Sequence, residues 1–155
     1  MNIRAVIEHK EIATVYIAEL GNNNEVEFVE SVQPPYARDH KWVLIISVLY
    51  GCPVQCRFCD AGYYYSGRIS SDHMLAQIDY MVTRRYPERV LPMEKFKIQF
   101  ARMGEPALNP AVNDVLEQLP GLYDAPGLLP TVSTIGPRSC VSFFRRLLSI
   151  RKEKY

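Results

Sequence analysis

The sequence contains no apolar run that approaches the ~18 residues of a membrane-spanning helix, and its N-terminus lacks the apolar core of a signal peptide. It also lacks a surplus of either charge. A net charge of +1 excludes a global attraction to nucleic acid, although a local basic patch stays compatible with it. No internal repeat or low-complexity tract is present. With 155 residues, 48% of them hydrophobic, the chain is predicted to form about one soluble globular domain.

Cysteine is also scarce, and three of the four cysteines lie within one short stretch. Cys52, Cys56 and Cys59 follow the spacing C-x3-C-x2-C, whereas Cys140 lies far downstream. Short, stiff loops rarely allow disulfide geometry, and clustered thiols fit a reducing compartment, so the predicted location is the cytoplasm. Thiolates are the ligands of iron–sulfur clusters, and a [4Fe–4S] cluster usually takes four of them. Three ligands would leave one iron open to another molecule.

A zinc site is the main alternative for these cysteines. A structural zinc site usually has two pairs of Cys or His ligands, which together supply four donors. The histidines of this chain (His9, His40 and His73) and Cys140 form no second pair. The spacing therefore favours an iron–sulfur cluster over zinc, and over three unrelated buried thiols.

Segments typical of strands alternate with helical patterns along the chain. The predicted strands cover residues 14–20, 26–32, 42–49, 95–101 and 128–134. The first predicted helix begins after Ser70 or Ser71 and follows a loop at residues 62–67. The second has Asn109 as its N-cap and Pro110 as its first residue and ends at Pro120-Gly121, and the third covers residues 143–152. The first two strands form a hairpin around a turn at residues 21–24. Residues 42–49 are apolar almost throughout, as in a parallel strand buried on both faces, and lead directly into the cysteine stretch. The pattern predicts an α/β fold with the cysteines at the C-terminal end of a strand, where α/β barrels assemble their active sites.

The cysteine spacing, with the aromatic Phe58 just before the third cysteine, resembles the signature of the radical S-adenosylmethionine (SAM) superfamily. The run MGEP at residues 103–106 is similar to the GEP motif of the adenine-C2 methyltransferases of ribosomal and transfer RNA in that superfamily. The run STIG at residues 133–136 is similar to the STxG stretch of the same group. Taken alone each short motif is weak evidence, but the three occur in the family's order.

This resemblance implies a cofactor set and a site. Cys52, Cys56 and Cys59 would bind a [4Fe–4S] cluster, whose open iron would chelate SAM and generate a 5′-deoxyadenosyl radical. The residues implied around SAM are Phe58, Gly104, Glu105 and Ser133. Glu105 would accept a charge-assisted hydrogen bond from the ammonium group of SAM.

The resemblance also implies a domain organisation. Residues 1–40 would form an N-terminal β-hairpin extension and connector. Residues 41–155 would form the N-terminal half of a radical SAM core, comprising the first three βα units of a TIM-like partial barrel. The chain is therefore expected to be truncated, and to be completed by the missing barrel half or by an oligomer.

Two departures from the family put methyl transfer in doubt, so the catalytic residue stays unknown. Ile45 stands where the family has a catalytic cysteine, seven residues before Cys52. The family's second, methyl-carrying cysteine lies near the end of a much longer chain, and Cys140 is in the wrong place to replace it.

The expected partners are an external electron donor of the flavodoxin or ferredoxin type and an RNA substrate, with no membrane. Tyr63, Tyr64 and Tyr65 follow the cysteines and would either stack on a base or cover the cluster, the second being favoured. A truncated, non-catalytic remnant, or an interaction module that binds a cluster or zinc, is the alternative to an enzyme.

Overall fold

The computed structural model describes residues 1–9, 12–21 and 23–155, so Asn22 in the predicted hairpin turn lies outside the described residues. The strands are β1 (Asn2–His9), β2 (Ala13–Glu19), β3 (Glu25–Ser31), β4 (Lys41–Ile46), β5 (Leu49–Gly51), β6 (Tyr65–Arg68), β7 (Lys95–Phe100) and β8 (Leu128–Val132). The helices are α1 (Ser71–Arg85), α2 (Ala111–Leu122) and α3 (Val141–Lys154).

Six of the strands form one mixed sheet in the order β1-β2-β3-β4-β7-β8. The pairs from β1 to β4 are antiparallel, and β4, β7 and β8 are parallel to one another. Because α1 connects β4 to β7 and α2 connects β7 to β8, the second half follows the predicted βα rhythm. The predicted α/β class, a β-hairpin followed by three βα units, is confirmed. The domain division at residues 40 and 41 stays a prediction.

The helices cover one face of this sheet and bury the core. Side chains of β4 and β7 that point to the helices are fully enclosed, and they meet the apolar stripe of α1 and α2. The largest of these buried side chains are Trp42, Leu44, Ile46, Phe96, Ile98 and Phe100, together with Met74, Ile78, Met81 and Val82 of α1. The methionines of α1 therefore belong to the core, as their helical spacing predicts.

The first helix begins where its sequence predicts. The hydroxyl of Ser70 accepts a hydrogen bond from the backbone N–H of His73 at 3.2 Å, which satisfies one of the unpaired donors of the first turn. Asp72 lies in the first turn, and Arg84 and Arg85 in the last, which suits the helix dipole at both ends.

The strand predicted over residues 42–49 is shorter in the structure, and β4 ends at Ile46. The side chain of Gln77 on α1 accepts from the backbone N–H of Ser47 at 2.9 Å and donates to its carbonyl at 3.1 Å. Since both backbone groups of Ser47 are thereby occupied, the strand cannot continue. Leu49 begins the separate strand β5, which pairs with β6 inside the loop predicted at residues 62–67.

The second helix is longer than predicted. Pro120 was expected to end it, yet α2 continues to Leu122 with Pro120 inside its last turn. A proline removes one backbone donor, which leaves the carbonyl of Leu116 without its usual partner four residues on. The hydroxyl of Tyr155 donates to that carbonyl at 2.6 Å. The C-terminal residue therefore compensates for the proline.

None of the helices among the described residues combines the length and the apolar character needed to cross a membrane.

Candidate functional site

The cysteine loop connects β5 to β6, and its two ends are held together. The backbone N–H of Cys52 donates to the carbonyl of Tyr64 at 3.0 Å. Gly51 has a φ of 77°, and a Cβ there would lie 1.8 Å from the same carbonyl oxygen. Only glycine fits this position, because both the backbone conformation and the close approach exclude a side chain. The β5–β6 pairing thus fixes the base of the loop.

The three clustered thiols on this loop are unpaired. Cys52 and Cys56 are half-buried, Cys59 is exposed, and the backbone N–H of Cys59 donates to the carbonyl of Cys56 at 3.0 Å. Within residues 1–9, 12–21 and 23–155, no three His, Cys, Asp or Glu side chains are already gathered to hold a metal ion. These are nevertheless donors of the kind that iron–sulfur clusters bind, because they are accessible thiols free of disulfides. Cys140, in contrast, is buried at the start of α3.

The cysteine loop and the loop that follows β7 line a common cavity of about 550 Å³. Phe58, Cys59 and Tyr64 line it from the cysteine side, and Arg102 and Met103 line it from the other side. Phe58 is 93% exposed, which is unusual for a phenylalanine and leaves its ring available to a ligand. Tyr63, Tyr64 and Tyr65 are exposed as well, so these rings are accessible from solvent.

Gly104 lies directly after this cavity wall and is fixed by packing. Its φ is 97°, and a Cβ would lie 2.4 Å from the Cβ of Leu49. The carbonyl of the preceding Met103 accepts from the backbone N–H groups of Val48 and Leu49, at 2.8 and 3.1 Å. The MGEP loop is therefore attached to the strand that leads into the cysteines.

Glu105 connects the loops that follow β7 and β8. Its side chain is buried, with 5% exposure. Oε1 accepts from the backbone N–H of Ala107 at 2.9 Å and from the hydroxyl of Thr134, and Oε2 accepts from the backbone N–H of Ile135 at 3.0 Å. An ionised carboxylate offers about four acceptor positions, so these three bonds leave one for a ligand. The GEP motif indicated Glu105 as a residue near SAM, but no pattern in the sequence predicted its hydrogen bonds to residues 134 and 135.

Ser133 begins the loop that follows β8 and is exposed. Its backbone N–H donates to the carbonyl of Phe100 at 3.3 Å, and its hydroxyl accepts from the side-chain amide of Gln99 at 3.1 Å. The MGEP and STIG loops thus follow the C-terminal ends of the adjacent parallel strands β7 and β8. The cysteine loop follows β5, a short strand that comes after β4 in the chain. Ile45 lies on β4 opposite Gln99 and Val29, on the sheet face away from the helices.

Comparison with known proteins agrees with this arrangement. The chain is 30% identical over 146 residues to the probable dual-specificity RNA methyltransferase RlmN of Trichormus variabilis, and 29% identical over 129 residues to that of Chlorobium phaeobacteroides. These matches cover 90% and 77% of this chain. The chain is similar to these RNA methyltransferases over a part of their length. No family model matches it.

A solved radical SAM methyltransferase from Sphaerobacter thermophilus shares the fold, with a TM-score of 0.73 and 22% identity over 94% of this chain. The chain spans only 41% of that structure, and 38% and 33% of the two curated relatives. The relationship to radical SAM methyltransferases is thus confirmed for a part of their length.

Proposed function

We propose that this chain binds a [4Fe–4S] cluster through Cys52, Cys56 and Cys59, and binds SAM beside it. When bound, the reduced cluster would supply the electron that cleaves the sulfonium of SAM to a 5′-deoxyadenosyl radical. The observation that carries the proposal is the position of three unpaired thiols on one loop, which shares a cavity with Arg102 and Met103 of the loop after β7. Glu105 of that same loop bonds in turn to the loop after β8.

The side chains around the loop have separate roles in this proposal. The three thiolates would converge when the loop closes on the metal, since metal binding and local ordering are coupled. Glu105 would use its remaining acceptor position for the SAM ammonium, while its present bonds hold the loop after β8 in place. Ser133 and Gly104 would offer polar backbone and hydroxyl contacts, and Phe58 would cover the bound molecule.

The substrate and partners belong to the proposal as well. Because the relatives are named as RNA methyltransferases, we propose RNA as the substrate class, in a reducing, cytoplasmic setting with an electron donor of the flavodoxin or ferredoxin type. Ile45 carries no group able to accept a methyl or a proton, so the proposal covers radical formation and leaves methyl transfer unassigned. A non-catalytic remnant or a zinc-binding module would share the thiols but not the radical chemistry.

The test is anaerobic reconstitution with iron and sulfide, followed by iron analysis, Mössbauer spectroscopy and an assay for 5′-deoxyadenosine. Alanine replacements of Cys52, Cys56 and Cys59 are expected to abolish the cluster, and Cys140→Ala, the matched control, is expected to retain it. Zinc without iron, or loss of the cluster in Cys140→Ala, would refute the assignment. A cluster that forms without any cleavage of SAM would identify a remnant.

A further inference from the structure

The two ends of the β5–β6 hairpin, which carries the cysteine loop, meet at one buried point. The chain enters the hairpin at Val48 and leaves it at Ile69, and both residues are fully buried. The backbone N–H of Ile69 donates to the carbonyl of Val48 at 3.2 Å. All three clustered cysteines lie between these two residues. A contact that fixes this point therefore fixes where the cysteine loop lies on the protein.

The side chain of Asn109 makes such a contact from the loop that follows β7. It is 1% exposed, and its Nδ2 donates to the carbonyls of both Val48 and Ile69, each at 2.7 Å. Its Oδ1 accepts from the backbone N–H of Ala111 at 3.2 Å. The amide group of an asparagine has two donors. Here both are used, one on each end of the same hairpin.

The sequence predicted a different role for this asparagine. As the expected N-cap of α2, Asn109 needs only an acceptor, which serine, threonine and aspartate also supply. In the structure α2 begins at Ala111 and Pro110 is the N-cap, so the predicted start is wrong by one residue. A hydroxyl or a carboxylate cannot donate to two carbonyls at once, whereas an amide can. The two donors of Asn109 therefore serve a purpose other than capping.

The loop that carries Asn109 also carries Glu105. At the end of the hairpin, the Nε of Arg68 donates to the carbonyl of Leu108 in this loop at 2.7 Å. Glu105 accepts from the backbone N–H of Ile135, in the loop that follows β8, at 3.0 Å. A single loop thus holds the cysteine hairpin on one side and the STIG loop on the other.

We propose that Asn109 is a positioning residue for the three clustered thiols. By drawing Val48 and Ile69 to one nitrogen, it keeps the cysteine loop at a fixed place relative to Glu105. Without the amide, the buried carbonyl of Ile69 loses its donor and the base of the hairpin is held less firmly. The identity of the groups bound at the thiols and at Glu105 rests on the proposed function, whereas the contact itself is a property of the metal-free chain.

The thiols are probed by titrating the reduced, metal-free chain with Cd²⁺, a soft cation that binds thiolates and then absorbs in the ultraviolet. The test variant is Asn109→Ser, because serine is a favoured N-cap and adds no charge. We expect its affinity for Cd²⁺ to fall about tenfold, since the arrangement that brings the thiols to the metal is then less populated. Asn109→Asp, which keeps the shape and the acceptor but not the two donors, should give the same loss.

Asn113→Ser is the matched control for this titration. Asn113 is also 1% exposed and lies on α2, but its Nδ2 donates to the carbonyl of Phe143 on α3 and does not contact the hairpin. The control should bind Cd²⁺ as the wild type does. An equal loss of affinity in the control would overturn the proposal, because the effect would then be a general loss of stability.

Hydrogen exchange in the same metal-free proteins locates the effect. Asn109→Ser should speed exchange of the backbone amides of Leu49, Cys52 and Ile69 about tenfold, and Asn113→Ser should speed exchange within α3 instead. Wild-type Cd²⁺ affinity, or wild-type exchange of these three amides, in both Asn109 variants would overturn the proposal. Because neither measurement uses iron, a reconstituted wild type that forms no cluster would refute the proposed function alone.

Discussion

At the scale of single residues, Glu30 is a buried carboxylate whose charge is compensated by several side-chain donors. It is 2% exposed, and Arg85 donates to its carboxylate twice, at 2.6 and 2.9 Å. Tyr16 and Trp42 donate to the same group. Burial alone would raise the pKa of Glu30, but the hydrogen bonds from Arg85 and Tyr16 outweigh it and hold the pKa below its ordinary value of 4.5. The carboxylate therefore joins β2, β3, β4 and α1 through its charge.

Replacing this carboxylate should make stability both lower and less sensitive to acid. We expect Glu30→Gln to reduce the free energy of unfolding at neutral pH by roughly 2–4 kcal/mol, because it leaves Arg85 without its buried counter-charge. Since the folded pKa is lowered, the contribution is present above pH 4.5 and is lost as the pH falls through the folded value. Urea unfolding of wild type and variant as a function of pH measures this. Glu27→Gln, whose ion pair with Arg102 is partly exposed, should cost less than about 1 kcal/mol.

Glu105 gives a second test at this scale, which concerns binding. In reconstituted protein, we expect Glu105→Gln to weaken SAM binding about tenfold or more while the iron content stays unchanged. The reason is that the substitution removes a charge without touching a thiol. Calorimetric titration with SAM provides the measurement, and Glu117→Gln, on the exposed surface of α2, is the matched control. Equal SAM affinity in wild type and Glu105→Gln would contradict the assigned role.

Among the elements, α2 depends on a contact from the far end of the chain. Burial raises the pKa of Tyr155 to about 12, so its hydroxyl keeps the proton that it donates to the carbonyl of Leu116. We expect Tyr155→Phe to lower the free energy of unfolding by about 1 kcal/mol. In a Pro120→Ala background the restored N–H can bond to Leu116, so the same change should cost clearly less. Chemical unfolding of the wild type, the two single variants and the double variant measures the coupling energy between the two positions. If Tyr155→Phe lowers the free energy of unfolding equally with and without Pro120, the compensation is contradicted.

The sequence predicted most elements because their signals are local. The Ser70 cap, the apolar stripe of α1 and the alternation in β7 all depend on near neighbours, and the motifs indicated the three loops at the strand ends. The errors involve contacts between distant residues. The end of β4 is set by Gln77, thirty positions along the chain, and the length of α2 by Tyr155. Likewise β6 exists because it pairs with β5, and β1 was not anticipated at all.

At the scale of the whole molecule, β8 is the last strand of the six-stranded sheet and, among the residues that the structure describes, it is paired along one edge only. It pairs with β7, and Leu129 on this strand is 48% exposed. An apolar cavity of about 890 Å³ adjoins the strand, lined in part by Leu128, Val132 and Leu147. Unpaired edges with apolar surroundings favour association between chains. That an oligomer completes the fold stays a prediction, and this edge is where such an association would form.

A charge on this edge should reduce that association. We expect Leu129→Lys to lower the apparent mass in concentration-dependent light scattering, because a lysine on an edge strand opposes pairing with another chain. Leu148→Lys, an equal change at a similarly exposed position of α3, should have a smaller effect. A wild-type chain that stays monomeric at all concentrations would refute the expectation.

The closed base of the cysteine loop has a consequence for metal affinity. Cys52 is tied to Tyr64 across the β5–β6 hairpin, which fixes the backbone at the start of the cysteine loop. The hairpin therefore influences the effective local concentration of the three thiols, as a linker sets the effective concentration of two joined binding groups. A side chain at Gly51 would displace the Tyr64 carbonyl and so lower the effective concentration of the thiols, although it would contact none of them. For the proposed cluster, the affinity would therefore depend on the glycine at position 51.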